Sequence, residues 1–144
     1  MELIIRHPSE VLSGFVNSYG NLLDMATYTD KTIYLTLLRP EENQQNDPLC
    51  SYANIVGLSQ EICDCIGLAT TEIYAMIAHE IGHILDSRNK DRIPREIVAD
   101  SLAVTLGLKT ALISGLRKLI DSNNYPDESR NMEGRIKVLE EYTD

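Results

Sequence analysis

The residues best suited to chemistry are His79, Glu80 and His83, which form a His-Glu-x-x-His motif. The motif lies in an apolar run without proline, Ile73 to Leu85, and such a run predicts a buried helix. Side chains four residues apart stand on the same face of a helix, so both imidazoles can reach one metal ion. Glu80 follows about 100° round the helix from His79. The spacing therefore predicts two nitrogen ligands with a carboxylate beside them.

Zinc hydrolases of the His-Glu-x-x-His type need this arrangement, because it places a carboxylate near the metal-bound water. The alternative is a pair of core histidines that are satisfied by hydrogen bonds. Two imidazoles and a carboxylate inside an otherwise apolar helix would be costly without a strong partner, however. The sequence therefore favours a metal site.

A second helix, predicted over residues 94 to 107, carries a stripe of two acids and two small residues. On a helical wheel Glu96, Asp100, Ala103 and Gly107 fall on one side. Such a stripe suits close approach to another helix with an ion shared between them. A solvated acidic face is the alternative, but lysine or arginine would complete that kind of face more often than alanine and glycine.

A catalytic zinc ion usually has three protein ligands and an open position for water. His79 and His83 are two, and a tight reversal through residues 87 to 93 would lay the second helix against the first. We therefore expect Glu96 to be the third ligand. Asp100 is then placed to accept the free ring N–H of His79, which fixes the tautomer of that ring. An exchange of roles between the two carboxylates is the alternative.

The composition predicts one globular domain, residues 1–144, because the chain has 144 residues of which 43% are apolar and 24% charged. The net charge of −9 argues against non-specific binding to nucleic acid or anionic membranes. No apolar run reaches transmembrane length, and the first residues do not look like a signal peptide. We therefore expect a cytoplasmic protein with neither nucleic acid nor membrane as a partner.

The cysteines are three in number, Cys50, Cys63 and Cys65, and an odd number argues against a pure disulfide framework. If residues 61 to 66 form a strand, Cys63 and Cys65 point to one face, and a Cys-x-Cys metal clip is possible. Buried or half-buried free thiols are the favoured interpretation.

The remaining patterns predict the elements that position the motif helix. That helix is capped by Thr70 or Thr71 and ends near Asp86 or Ser87. Upstream we expect a helix over 8–19 and an extended stretch over 22–38, with a possible hairpin between 23–28 and 32–38. A polar loop over 39–48 and strands over 52–58 and 61–66 follow. Downstream we expect helices over 110–121 and 128–142. The result is an α+β fold with a small, mostly antiparallel sheet packed on the motif helix and a helical C-terminal part.

The two helix motifs together resemble those of the gluzincin metallopeptidases. The run from His79 to His83, followed by Glu96-Ile-Val-Ala-Asp100, is most similar to the M48 (Ste24/HtpX-like) family and to small stand-alone minigluzincins. The segments 54–58 and 66–68 resemble the cleft strand of that family, and 125–136 resembles its tail, so the similarity covers about residues 54 to 139. The membrane helices of the M48 family are absent, so a membrane-bound role does not carry over.

The resemblance implies a zincin-like minimal domain with one Zn²⁺ per chain and a peptide or protein as substrate. The implied activity is that of a zinc-dependent peptidase in which Glu80 is the general base for the metal-activated water. It also implies a cleft strand to whose edge the substrate can add. The family tail holds substrate and stabilises the oxyanion, which makes Tyr125 and Arg135 candidates, although Tyr125 replaces the usual histidine. A packed loop aromatic and an ion-pair partner are the structural alternatives for these two residues.

Two other functions are compatible with the motifs. Small His-Glu-x-x-His proteins similar to the ImmA/IrrE group act as regulators on a single protein partner. The second possible function is that of a latent peptidase, in which the 39–48 loop or the acidic C-terminus blocks the cleft. Digestion of generic peptides, cleavage of one partner only, or activity after trimming would separate the three.

Overall fold

The computed structural model describes residues 1–27, 29–42, 46–86 and 92–142, with only the backbone for 92–94. These residues form a four-stranded sheet, six α-helices, and short 3-10 turns at 40–42 and 126–128. The strands are β1 (Glu2–His7), β2 (Thr32–Leu37), β3 (Leu49–Tyr52) and β4 (Ile55–Leu58). The helices are α1 (Glu10–Ala26), α2 (Gln60–Ile66), α3 (Thr70–Leu85), α4 (Arg92–Thr105), α5 (Lys109–Asp121) and α6 (Ser129–Glu141). The predicted α+β class is confirmed.

The sheet has the order β1-β2-β4-β3, with β1 parallel to β2, β2 parallel to β4, and only β3 antiparallel to β4. The prediction of a mostly antiparallel sheet was therefore wrong, and β1 was not predicted. The suggested hairpin between residues 23–28 and 32–38 is wrong as well, since residues 22–26 belong to α1. That helix continues past Gly20 because Leu23 is buried on the same side as Leu12 and Phe15.

The segment predicted as a strand over 61–66 is the helix α2. It ends at Gly67, which has a φ of 85° and donates its N–H to the carbonyl of Cys63. A glycine in this conformation is a common helix terminus. Cys63 is buried and Cys65 is exposed, and residues two apart on a helix do not share a face. The Cys-x-Cys clip is therefore excluded.

The motif helix α3 is the central element, and it packs against β3 and β4 on one side and α4 and α5 on the others. Its apolar face is buried in the core through Ile73, Ile77 and Ile81. The helix is capped by neither Thr70 nor Thr71. Instead, the carboxylate of Glu72 accepts the N–H of Ala69 at 2.7 Å.

Helices α3 and α4 are in close contact at Gly82. A Cβ atom on Gly82 would lie 2.7 Å from the carbonyl oxygen of Ala99 and 2.8 Å from its Cα. Ala103, from the predicted small-residue stripe, is fully buried. Gly107 is not part of this helical face, because α4 ends at Thr105 and Gly107 terminates it with a φ of 79°. Gly107 therefore ends α4 and does not pack against α3, so its inclusion in the predicted stripe was wrong.

Helix α5 packs against α3, and α6 packs against α4 and α5; both helices lie close to the predicted ranges 110–121 and 128–142. Within the described ranges, no helix has the length and apolar character needed to cross a membrane. Helix α3 is therefore surrounded by β3, β4, α1, α4 and α5, and it carries the motif residues.

Candidate functional site

The three predicted ligands come together between α3 and α4. The carboxylate of Glu96 lies 3.0 Å from Nε2 of His79 through one oxygen and 3.1 Å from Nε2 of His83 through the other. One ligand atom from each residue lies within 4.8 Å of the others. The imidazole rings stand nearly perpendicular, with centroids 4.5 Å apart. Two imidazole nitrogens and a carboxylate oxygen in this arrangement could hold a metal ion.

The second nitrogen of His79 is held by Asp100, as the sequence predicted. Nδ1 of His79 lies 2.6 Å from Oδ1 of Asp100, and both side chains are buried. Asp100 has no comparable contact with His83, whereas Glu96 faces the Nε2 atoms of both rings. This geometry supports the predicted division of roles, with Glu96 at the centre and Asp100 behind His79.

Arg135 of α6 joins the two carboxylates. Its Nε and Nη2 donate to the two oxygens of Asp100 at 2.9 and 2.8 Å, and Nη1 lies 3.3 Å from Glu96. Two parallel N–H···O bonds of this kind fix both partners. The guanidinium of Arg135 is engaged by two carboxylates, as expected if Arg135 is a structural ion-pair partner. Contact of Arg135 with substrate stays a prediction.

The cluster shifts the protonation of its members. Burial and the charge of Arg135 lower the pKa of His79, but hydrogen bonds to Asp100 and Glu96 outweigh them and raise it to about 9. Burial raises the pKa of Glu96, but hydrogen bonds from His79 and His83 and the charge of Arg135 hold it well below the usual range. Burial also raises the pKa of Asp100, but hydrogen bonds from His79 and Arg135 lower it overall. Two ionised carboxylates therefore face a protonated imidazole. A divalent cation could replace that proton and balance the same charges, so these residues fit zinc.

Glu80 lies beside this cluster and borders a cavity of about 610 Å³, which His79, His83 and Glu96 also line. Burial, and then the charge of Glu80, raises the pKa of Asp47 and of Cys50, which lie across the cavity. Glu80 is half-buried. Its carboxylate is thus next to the three candidate ligands and faces the space that a substrate would occupy.

Apart from the cluster, the lining of the cavity comes mainly from one strand and from three helices, and the sequence did not predict it. Strand β3 contributes Leu49, Cys50 and Ser51, together with Asp47 just before the strand. The apolar wall consists of side chains from α3, α5 and α6: Met76, Leu112, Leu116, Leu119 and Met132. Leu112 and Leu116 of α5 are also buried in the core, and the spacing of a cavity wall is the same as that of a core face, so the sequence could not distinguish the two roles.

The predicted cleft strand needs correction. Strand β4 lies between β2 and β3, so both of its edges are paired. The edge strand beside the cavity is β3, most of which falls between the predicted polar loop 39–48 and the predicted strand 52–58 and was assigned to neither. This strand could not be predicted from the sequence pattern, because it is short and has proline and asparagine residues as neighbours. If a peptide adds to this sheet next to Glu80, it adds to β3.

Tyr125 borders the cavity, but its hydroxyl is already engaged. It donates a hydrogen bond to the carbonyl of Asn46 at 2.8 Å. Burial, followed by the charges of Asp47 and Cys63, raises the pKa of Tyr125 to about 12, so the hydroxyl keeps its proton. The contact agrees with the packed-aromatic alternative, and stabilisation of an oxyanion by Tyr125 stays a prediction.

Comparisons of the chain with protein-family models, with curated proteins and with solved structures found no match. The resemblance to gluzincins therefore stays a prediction that rests on the two helix motifs. A function for the site has to be inferred from its own atoms: two imidazoles, three carboxylates and an arginine at the edge of a cavity.

Proposed function

We propose that this chain is a zinc-dependent peptidase of the gluzincin type, with a zincin-like fold and one zinc ion per chain. The observation that carries the proposal is the convergence of His79, His83 and Glu96 within 4.8 Å at the wall of a cavity that Glu80 also borders. A His-His-Glu set favours zinc among the common divalent ions.

The ligands have the support that a catalytic metal site needs. His79 and His83 would bind through Nε2 and Glu96 through its carboxylate, while Asp100 and Arg135 keep His79 and Glu96 in place. A bound zinc ion lowers the pKa of a water molecule towards about 7 and polarises a carbonyl group.

Glu80 supplies the proton transfer. Its carboxylate takes a proton from the attacking water, whose oxygen bonds to the scissile carbonyl carbon. The same carboxyl group then gives the proton to the leaving amine as the C–N bond breaks. Main-chain groups of a peptide can pair with the edge of β3 during this step, and one of its side chains can lie on the apolar wall.

The test is Glu80→Gln, assayed for hydrolysis of a peptide library with the zinc-loaded protein. Gln keeps the size of Glu but cannot take up the proton, so turnover should fall by at least about a hundredfold. Metal content, measured by mass spectrometry, should remain one zinc per chain. Loss of zinc from this variant would contradict the assignment of Glu80 as the base.

Glu96→Ala is the matched variant, because it removes a ligand and leaves Glu80 in place. We expect it to lose both zinc and hydrolysis. Full zinc retention would move the third ligand elsewhere, and a wild-type protein that takes up no zinc would overturn the peptidase proposal. Zinc-loaded wild type that cleaves no library peptide would point to the regulatory or latent alternatives.

A further inference from the structure

We propose that Asp86 is a positioning residue for His83, in the way that Asp100 is for His79. Its carboxylate accepts the Nδ1–H of His83 when Nε2 of that ring binds the metal ion. This inference rests on the proposed function, because it assigns a residue that supports the same metal site.

Two buried side-chain atoms have no hydrogen-bond partner within the described part of the chain. They are Nδ1 of His83 and Oδ2 of Asp86. His83 is in the last turn of α3, and Asp86 is the C-cap residue, whose N–H still donates to the carbonyl of Gly82. Residues three apart are neighbours on a helix surface. One is an imidazole nitrogen and the other a carboxylate oxygen, so a single hydrogen bond between them satisfies both.

Whether Nδ1 of His83 can donate a hydrogen bond to Asp86 depends on the tautomer of the His83 ring. Nε2 of His83 lies 3.1 Å from Glu96. While Nε2 carries the proton of a neutral ring and donates it to Glu96, Nδ1 has no hydrogen and cannot donate to Asp86. When Nε2 gives its lone pair to a metal ion, the proton resides on Nδ1 and needs an acceptor. Asp86 provides that acceptor directly, after rotation of its carboxylate, or through one bridging water.

The described residues that line the groove beside Asp86 offer its carboxylate few competing donors. The groove is shallow and lies between α3 and α4, and its other lining residues carry no charge. The two hydroxyls there are already used, since Ser101 donates to the carbonyl of Val98 and Thr105 donates to that of Ser101. A carboxylate in such a position is best satisfied by the ring N–H one helical turn earlier.

The experiment compares zinc affinity and the His83 ring in Asp86→Ala, Asp86→Asn and the wild type. Affinity is measured by competition with a chromophoric chelator. Loss of a carboxylate behind a metal-binding histidine typically weakens binding about 10- to 100-fold, and we expect a loss in that range for Asp86→Ala. Asp86→Asn keeps an oxygen acceptor and should lose less. In NMR spectra of the zinc-loaded protein, the Nδ1–H resonance of His83 should shift in both variants while that of His79 stays.

Asp121→Asn is the control, because it removes the same charge from an exposed site at the end of α5. Wild-type zinc affinity and an unshifted His83 resonance in the Asp86 variants would overturn the inference and leave the peptidase proposal intact. If Asp86→Ala does not fold, Asp86→Asn decides by the same two measurements. A wild type that binds no zinc overturns both proposals.

Discussion

Two acids and one histidine are buried in the described ranges, and each of these three side chains has a charged partner. Two of them, His79 and Asp100, belong to the proposed metal site. The third, Glu72, is at the opposite end of the same helix, where it accepts hydrogen bonds from Ser114 and from Lys118, the latter at 2.7 Å. Buried charges persist only with such partners. Glu72 therefore connects the start of α3 to α5 and helps to fix the helix that carries the histidines.

We expect Glu72→Gln to lower the free energy of unfolding by about 1–3 kcal/mol at neutral pH, because it removes a buried, charge-assisted contact. Burial raises the pKa of Glu72, but hydrogen bonds from Lys118 and Ser114 outweigh it and hold the pKa below 4.5. A lowered folded-state pKa means that this stabilisation is complete above the unfolded-state pKa and is lost as the pH falls through the folded-state pKa. Urea unfolding from neutral to acid pH measures both quantities.

Glu61→Gln is the control for Glu72, since Glu61 is an exposed acid in α2. It should change stability little at any pH. A difference between Glu72→Gln and wild type that grows in acid would contradict the assigned sign.

At the scale of elements, the site depends on how closely α3 approaches α4. The histidines are on one helix and Glu96 is on the other, and the contact at Gly82 leaves no room for a Cβ atom. Small residues at a crossing allow helices to approach more closely than the usual axial separation of about 8–10 Å. The distance between the ligands is thus set by a glycine that takes no part in binding.

Gly82→Ala should destabilise the protein by about 1–3 kcal/mol through overpacking, although alanine is the better helix former. It should also weaken zinc binding, because α4 must move away from α3. Thermal unfolding and zinc competition measure the two effects. Gly134→Ala in α6 is the matched control, since nothing lies within 4 Å of a Cβ there, and it should leave stability unchanged or raise it. Equal effects of the two substitutions would contradict the close contact.

The sequence was sufficient to predict the elements that are defined by local patterns. Helix α3 follows from an apolar run, and the pairing of Glu96 with the histidines follows from a stripe on α4 and a short connection. The contact between Asp100 and His79 could be predicted as well, because it depends only on the packing of two consecutive helices.

The parts that depend on distant contacts could not be predicted. The parallel pairing of β1 with β2 joins residues about 30 positions apart, and no local pattern encodes it. The helix α1 extends past Gly20 because the core covers Leu23. The cavity walls were missed for the same reason, since β3 and α5 acquire that role only when both pack beside α3.

For the molecule as a whole, the proposed metal ion would connect two helices that the folded state alone brings together. A ligand that binds only the folded state stabilises it by about 2.7 kcal/mol at a free concentration of one hundred times Kd. We therefore expect the Tm to rise with zinc concentration and to fall again when a chelator is added, as measured by calorimetry.

Glu96→Ala provides the comparison for this measurement, because it lacks the ligand from α4. Its Tm should respond much less to zinc. An equal rise in Glu96→Ala and the wild type would mean that zinc binds elsewhere, for example at exposed carboxylates of this acidic chain.

The candidate ligands all come from one stretch of chain, residues 79 to 96, whereas most of the cavity wall comes from three separate stretches around residues 47–51, 112–119 and 125–132. In the proposed peptidase, reactivity and selectivity would thus be encoded in different parts of the gene. A substitution in a wall segment can alter which molecules enter while the reactive groups are inherited unchanged. This separation gives the small domain a route to new substrates that does not pass through an inactive intermediate.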